Sequence, residues 1–182
     1  SQPNLDKGYL VVMQHPVTNE YQDSRKQIEV TLRAIQKINK PTLWFWPNVD
    51  AGADGTSTGI RSFRENNKIE NIHFFKNMEG DDFLNLLHNS LCLLGNSSVG
   101  IRECAFLGVP VINIGSRQNR RERGENVIDV SHDEDEIVIA LETILLVNNR
   151  KVSNVYGNGN SGEKIAHLLK KLPLQFHKTI TY

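Results

Sequence analysis

The sequence predicts an α/β fold in which a parallel sheet is covered by helices on both faces, a doubly wound arrangement. Short apolar runs of strand length alternate with segments of helical periodicity almost without exception along the 182 residues. The runs are apolar at consecutive positions, which is typical of strands buried on both faces. Six such runs joined through helices require right-handed crossovers, and these give a parallel sheet.

The first half of the chain is predicted to hold three strands and three helices. Residues 9–13 (YLVVM) are apolar throughout, and the helix after them places Ile28, Leu32 and Ile35 on one face. A polar, glycine-rich stretch then predicts a long loop, and the helix after that loop carries only a thin apolar stripe. The predicted ranges are strand 9–13, helix 24–39, strand 42–46, loop 48–58, helix 59–66, strand 72–75 and helix 81–89.

The second half of the chain continues this alternation. Residues 91–94 precede a polar turn that opens a helix, and Pro110 is tolerable because it stands at the start of the next strand. The predicted ranges are strand 91–94, a helix ending near Gly108, strand 109–114, loop 115–126, strand 127–130, helix 133–147, loop 156–162 and a last helix carrying Ile165, Leu168, Leu169 and Leu172.

The chain is predicted to be a single domain, residues 1–182, because its length supports one substantial core. Residues 1–7 are polar and lead directly into a strand, so we interpret them as the remnant of an interdomain linker. Residues 173–182 form a C-terminal tail in this interpretation. The chain is therefore expected to be one domain of a larger protein.

Charge balance and cysteine content limit the classes of partner. Lys plus Arg and Asp plus Glu number 21 each, so no long-range field collects nucleic acid or an anionic membrane surface. No apolar run approaches the roughly 20 residues that span a bilayer, and the N-terminus lacks a signal-peptide core. Cys92 and Cys104 suit reduced core thiols better than a disulfide, which favours the cytoplasm. No Cys or His pair has the spacing of a zinc site, so no metal is expected.

Residues 95–103, GNSSVGIRE, form the most informative segment, because they join a buried strand to a helix. Small residues there let a ligand approach the helix start, whose unpaired amides and positive dipole attract a phosphate. Ser97 and Ser98 add hydroxyl donors, Gly100 keeps the turn small, and Glu103 can accept hydrogen bonds from sugar hydroxyls. An ordinary serine cap is the alternative. Two serines, two glycines and a carboxylate exceed what a cap requires, so the segment predicts a nucleotide-sugar site.

Further candidate residues follow other strands at the same edge of the sheet. Ligands of doubly wound sheets bind beyond the carboxyl ends of the strands, so His15, Asn48 and Arg117 are expected to converge there. Pro16 holds His15 at the strand tip, although a loop histidine with one backbone hydrogen bond is the alternative. Asn48 suits either a ligand contact or a turn. Arg117 can pair a phosphate with its planar fork, whereas the three arginines beyond it suit the surface.

Together these motifs resemble the hydrolysing UDP-N-acetylglucosamine 2-epimerases, which begin sialic-acid synthesis in animals and capsule or nonulosonate synthesis in bacteria. The serine pair is similar to the hydrolysing branch of that family. The resemblance implies the C-terminal, UDP-binding half of a two-domain protein with the architecture of the B-type glycosyltransferases. The matching segments are MQHPVT (13–18), WPNVDAG (46–52), GNSSVGIRE (95–103), GVPVINIGSRQ (108–118), GENV (124–127) and VYGNGN (155–160).

The resemblance also implies roles for the candidate residues. His15 would lie near the diphosphate and the reacting sugar, as the catalytic candidate, and Glu103 would hold the ribose hydroxyls. The residues implied to contact UDP are Asn48, Ser97, Ser98, Gly100, Glu103 and Arg117.

The family's reaction removes UDP from C1 after loss of the C2 proton, and water then adds to the glycal to give N-acetylmannosamine. Proton transfer needs positioned carboxylates, which the resemblance places largely in the other domain. We therefore expect this chain alone to bind UDP weakly without turning the substrate over. The full-length protein is expected to need no cofactor, to include an N-terminal domain, and to form a homo-oligomer.

Two other functions remain open from the sequence. The donor domain of a B-type glycosyltransferase would use the same phosphate-binding helix and ribose carboxylate, but would leave His15 without an obvious task. The third function is a non-catalytic nucleotide-binding module, here a regulatory α/β domain of flavodoxin or receiver type, which predicts an acidic cluster after the first strand. This chain has Gln14 and His15 at that place, which argues against a module of that kind.

Overall fold

The computed structural model describes residues 4–49, 51–147 and 150–173, and six parallel strands of this part form one sheet. The strands are β1 (Leu10–Met13), β2 (Thr42–Phe45), β3 (Ile72–Phe75), β4 (Cys92–Gly95), β5 (Val111–Ile114) and β6 (Val127–Val130). Their order is β3-β2-β1-β4-β5-β6, so the winding reverses between β1 and β4. This order is that of doubly wound dinucleotide-binding sheets, and it confirms the predicted fold class.

Helices cover both faces of the sheet. They are α1 (Ser24–Ile38), α2 (Ala53–Asn66), α3 (Gly80–His88), α4 (Ser98–Ile101), α5 (Glu103–Leu107) and α6 (Glu134–Val147), with a 3₁₀ helix at Thr18–Asp23. A last helix, α7 (Ser161–Leu169), buries none of its residues. Ile28 of α1, Ile60 of α2 and Ile137 of α6 belong to the core on one face. Leu87 of α3 and Cys104 of α5 belong to the core on the other. The chain after β1 therefore leaves the sheet on one side, and the chain after β4 leaves it on the opposite side.

The predicted loop 48–58 is wrong over its second part, because α2 begins at Ala53. Glycines in this stretch suggest turns in the sequence, but in the structure they allow close packing of α2 on α1. A Cβ added at Gly55 would collide with the Ser24 hydroxyl of α1, and one at Gly59, inside the predicted helix, would lie 2.6 Å from Cγ2 of Ile28. Full burial of Ile60 then favours the helix over the weak helix propensity of the glycines.

The helix predicted to run from the polar turn to Gly108 is interrupted at Arg102, where φ is −105° and ψ is −76°. The result is two short helices, α4 with 4 residues and α5 with 5. The predicted inward face is confirmed, because Ile101, Cys104 and Ala105 are all fully buried. A helix of one turn sums few peptide dipoles, so an anion at this turn would depend on individual N–H and hydroxyl groups.

The other predicted strands and helices agree with the structure to within two residues at each end, except that the last helix ends at Leu169 and does not reach Leu172. The 3₁₀ helix at Thr18–Asp23 was not predicted. Residues 1–3 and 174–182, which belong to the predicted linker remnant and tail, lie outside the described residues. The domain bounds therefore remain a prediction.

Cys92 and Cys104 are buried free thiols, as predicted. Burial raises the pKa of both thiols above the ordinary value, so both stay protonated and unreactive at neutral pH. Within residues 4–49, 51–147 and 150–173, no helix combines the length and the apolar character that crossing a membrane requires.

Gly95 ends β4 at the place where the strand order reverses. Its φ of +127° lies in a region that only glycine adopts freely. A Cβ at this position would collide with the Met13 carbonyl oxygen of β1. The glycine therefore lets β1 and β4 stay paired up to their last residues, Met13 and Gly95.

We expect Gly95→Ala to lower the free energy of unfolding by roughly 3 kcal/mol, because it adds a steric collision to left-handed backbone strain. Gly80→Ala is the matched control, since a Cβ at Gly80 meets nothing within 4 Å. The control should change stability by less than about 1 kcal/mol. Urea denaturation of both variants and the parent measures the difference, and equal stability of all three would contradict the close approach of the two strands.

Glu134 joins α6 to α1 through two cations. Its carboxylate accepts from Lys37 Nζ at 2.7 Å and from Arg33 Nε at 2.8 Å. The bonds from Lys37 and Arg33 lower the pKa of Glu134 below its ordinary value. A carboxylate with a depressed folded-state pKa adds stability above its unfolded-state pKa and loses it as the pH falls through the folded value.

We therefore expect Glu134→Gln to cost less than about 1 kcal/mol of stability at pH 7, since the pair is largely solvent-screened. The cost should shrink as the pH falls below about 4, where the parent chain also loses the ionised carboxylate. Asp135→Asn is the control, because Asp135 lies 3.6 Å from Lys37 with 85% of its side chain exposed. Thermal unfolding from pH 7 to pH 3 gives the comparison, and a cost that does not depend on pH would contradict the ion pairs.

Candidate functional site

The carboxyl ends of β1 and β4 form a crevice, because the chain leaves these neighbouring strands toward opposite faces of the sheet. Ligands of doubly wound folds bind at such a switch point. His15 follows β1 and Ser97 follows β4, so both stand at this crevice. Asn48 follows β2 and Arg117 follows β5, one strand further out on each side.

Asn96, which the sequence analysis did not select, ties the two sides of the crevice together. Its Oδ1 accepts from the His15 N–H at 2.7 Å, and its Nδ2 donates to the His15 carbonyl at 2.8 Å. The side chain is 1% exposed, so these bonds form away from water. The sequence held one signal for this role: Asn96 directly follows a buried strand, and an amide side chain can accept from the N–H and donate to the carbonyl of one residue.

His15 is buried and its ring has a defined hydrogen bond. The backbone N–H of Asn48 donates to His15 Nδ1 at 3.2 Å. A neutral imidazole that accepts at Nδ1 carries its proton on Nε2. His15 thus has the tautomer in which Nε2–H is the donor, and the predicted proximity of His15 and Asn48 is confirmed through the Asn48 backbone, whose side chain is exposed.

The turn between β4 and α4 uses part of its polar groups for its own structure. The Ser97 hydroxyl accepts from the Val99 N–H at 3.4 Å, which is the capping bond of the alternative interpretation. The Gly100 N–H donates to the Ser97 carbonyl at 3.1 Å. A Cβ at Gly100 would lie 2.9 Å from Val111 Cγ1, so this glycine is required for packing α4 on the sheet. Ser98 is only half-buried and directly precedes Val99.

Two side chains of the loop after β5 donate to one backbone carbonyl oxygen, that of Asn96. Gln118 Nε2 donates to the Asn96 carbonyl at 2.8 Å, and Arg117 donates to it at 3.3 Å. Arg117 also lines a cleft of about 540 Å³ with Pro16, Glu20 and other residues of the two loops. The structure therefore brings His15, Asn96 and Arg117 into one hydrogen-bonded group.

The arginines beyond Arg117 differ in their surroundings. Arg120 and Arg121 are exposed, as predicted. Arg123 is only partly exposed, and its guanidinium pairs with Asp129 at 2.9 Å while also donating to backbone carbonyls of its own loop. Arg123 therefore stabilises the loop that follows Arg117, and it does not belong to a fully solvated surface.

Glu103 lies apart from the Arg117 cleft. It lines a second cavity of about 370 Å³ together with Phe106 and with Tyr156 and Gly157 of the VYGNGN segment. Its Oε2 atom is buried and has no hydrogen-bond partner in the described part of the chain. A buried carboxylate oxygen without a donor is costly, so this atom has capacity for a donor such as a sugar hydroxyl.

The arrangement supplies donors for an anion: an imidazole N–H, a guanidinium, serine hydroxyls and turn amides. Among the described residues, no group of three or more His, Cys, Asp or Glu side chains could hold a metal ion. Donors of this kind bind phosphate oxygens through charge-assisted hydrogen bonds. The Glu103 carboxylate adds the acceptor that a pentose requires.

Curated relatives share much of this sequence. A UDP-N,N'-diacetylbacillosamine 2-epimerase (hydrolyzing) of Legionella pneumophila is 35% identical over 93% of this chain and 44% of its own length. The polysialic acid biosynthesis protein P7 of Escherichia coli is 35% identical over 74% of this chain and 34% of its own length. The chain thus spans less than half the length of these relatives.

Solved structures resemble the fold over a similar extent. The UDP-GlcNAc 2-epimerase from Neisseria meningitidis bound to UDP-GlcNAc has a TM-score of 0.74 at 18% identity, with 92% of this chain and 46% of that chain covered. The Methanocaldococcus jannaschii UDP-GlcNAc 2-epimerase in complex with UDP-GlcNAc and UDP has a TM-score of 0.69 at 21% identity, with 90% and 45% covered. These likenesses concern the fold.

The family model described as UDP-N-acetylglucosamine 2-epimerase matches residues 1–170. The match includes every strand and helix of the described structure, from β1 to α7. It also includes all the segments on which the resemblance was based. The chain therefore belongs to the UDP-N-acetylglucosamine 2-epimerase family.

Proposed function

We propose that this chain is the UDP-binding half of a hydrolysing UDP-N-acetylglucosamine 2-epimerase. The observation that carries the proposal is the hydrogen-bonded group of His15, Asn96 and Arg117 at the switch point between β1 and β4. The fold rule assigns ligands to this place, and the family match supplies the class of ligand.

In the proposed complex the diphosphate lies in the crevice between β1 and β4. His15 donates through Nε2–H, Arg117 supplies a positive charge, and the Ser97 and Ser98 hydroxyls bind phosphate oxygens. The Gly100 amide, which is bonded within the turn, contributes less than the sequence suggests. Asn48 lines the nucleotide site through its backbone more than its exposed side chain.

Glu103 binds the ribose in this proposal. Its partnerless Oε2 lies at the start of α5, one turn beyond Ser98. The two vicinal hydroxyls of a ribose are donors of the required kind, and hydrogen bonds to a charged acceptor are stronger than neutral ones. The cavity lined by Tyr156 and Phe106 borders this carboxylate.

The proposed reaction converts UDP-N-acetylglucosamine to UDP and N-acetylmannosamine. Loss of the C2 proton and cleavage of the C1–O bond release UDP and leave a glycal, to which water adds with inversion at C2. The residues of this chain stabilise the departing diphosphate, where negative charge develops. The proton transfers at C2 need carboxylates, which we assign to the remaining part of the protein.

The substrate's sugar and the assembly are also proposals. The relatives are named for sugars that include N,N'-diacetylbacillosamine, so substituents beyond C2 are a point of variation. The share of relatives covered supports an additional domain, and α7, which buries none of its residues here, offers a face for it. We propose a homo-oligomer of the two-domain protein in the cytoplasm, without a cofactor. No observation favours a glycosyltransferase donor domain or a non-catalytic module.

We expect UDP to raise the melting temperature of this chain at millimolar concentration, because a ligand of the native state alone stabilises it. Glu103→Gln should weaken UDP binding roughly tenfold by removing the charged acceptor of the ribose hydroxyls. Glu70→Gln is the control, since the Glu70 side chain is 80% exposed in a loop. Calorimetric titration measures all three affinities. Equal affinity of the Glu103 and Glu70 variants would contradict the ribose assignment.

We expect this chain alone to release no UDP from UDP-N-acetylglucosamine, because we assign the carboxylates for proton transfer at C2 to the remaining part of the protein. The measurement is chromatography of the nucleotide products after prolonged incubation. Release of free UDP together with N-acetylmannosamine by the isolated chain would contradict the assignment of the proton transfers to the remaining part of the protein.

A further inference from the structure

Glu20 connects the loop after β1 to the loop after β5. It lies in the 3₁₀ helix Thr18–Asp23, where its φ of −123° and ψ of 18° depart from helical values. Its carboxylate accepts a hydrogen bond from the Ser116 hydroxyl and another from Gln27 Nε2 at 2.9 Å. Glu20 and Ser116 are 96 residues apart in sequence, so only the tertiary fold brings them together.

This contact closes a circuit of hydrogen bonds around the crevice. Ser116 precedes Arg117 and Gln118, both of which donate to the Asn96 carbonyl. The Asn96 side chain holds the His15 backbone from both sides. His15 and Glu20 lie on the same short segment after β1, so the circuit returns to its start.

The loop that carries Arg117 is held from a second side by His132. Gly115 has a φ of +75°, and a Cβ there would collide with the His132 ring. Burial lowers the pKa of His132, so its imidazole is neutral at pH 7 and is a packing surface rather than a cation. The bond from Ser116 lowers the pKa of Glu20, so the Glu20 carboxylate is ionised at the same pH.

We propose that Glu20 is a positioning residue for Arg117, which it fixes over the crevice by anchoring Ser116. The proposal rests on the proposed function, because it assigns the benefit to binding of the UDP diphosphate. In this proposal Glu20 acts through Ser116 and not on the ligand, and its carboxylate accepts hydrogen bonds from Ser116 and Gln27. Its loss leaves the charge of Arg117 intact and removes the restraint on where that charge lies.

The experiment compares two ligands that differ only in the anion, UDP and uridine, by NMR titration of the labelled chain. Glu20→Ala should weaken UDP binding roughly tenfold, the loss of about one charge-assisted hydrogen bond. It should leave uridine binding unchanged, because uridine has no phosphate for Arg117. Glu20→Gln keeps an acceptor for Ser116 and should recover part of the loss.

Two further variants separate positioning from general damage to the fold. In the Arg117→Ala background, Glu20→Ala should produce no additional loss of UDP affinity, because both changes act through the same group. Glu29→Ala is the matched control, since Glu29 is an α1 carboxylate paired to Arg25 at 2.9 Å. It should leave both affinities unchanged.

The proposal is overturned if Glu20→Ala weakens UDP and uridine equally, if it adds to Arg117→Ala, or if UDP affinity does not change. Failure of the parent chain to bind UDP at all overturns the proposed function instead. In that case amide hydrogen exchange tests directly whether the Glu20 carboxylate restrains the loop that contains Ser116. Faster exchange of residues 116–119 in Glu20→Ala than in Glu29→Ala supports it, and equal exchange overturns it.

Discussion

The paired hydrogen bonds between the Asn96 side chain and the His15 backbone are the interaction on which the site depends. They lie where two neighbouring strands send the chain to opposite faces of the sheet, so the loops there would otherwise separate. Because the amide is buried, breaking either bond leaves a polar group unsatisfied away from water. The asparagine therefore adds to the backbone pairing of the two strand ends, and two side chains of the loop after β5 donate to its carbonyl oxygen.

Some side chains at this edge of the sheet hold only the backbone, and others have a second role in our proposal. Asn96 and Gln118 fix the loops, whereas the His15 ring and the Arg117 guanidinium bond to backbone atoms and are also the groups that we propose for the diphosphate. The chain has no net charge to attract a nucleotide from a distance. In the proposed complex, capture of a diphosphate therefore rests on the accurate placement of a few donors.

The sequence predicted the fold well because strand burial on both faces leaves a clear apolar pattern. It failed at the start of α2, where Gly55 in the predicted loop suggests a turn but allows α2 to pack against Ser24 of α1. It also failed at Arg102, where one predicted helix is two short ones. The error at α2 has a tertiary cause, because the packing of α2 on α1 is decided by neighbours distant in sequence, which local propensity does not register.

The sequence by itself determined the alternation of strands and helices, the residues that follow the strands at the ligand-binding edge of the sheet, and the motifs that place the chain in its family. Only the tertiary structure decided which side chains serve the backbone and which face the crevice. Asn96 and Glu20 act through partners 81 and 96 residues away, and Glu103 was separated from the Arg117 cleft. Hydrogen bonds depend on donor–acceptor distances to within a few tenths of an ångström and on the direction of the donor. A linear pattern of residue types contains neither.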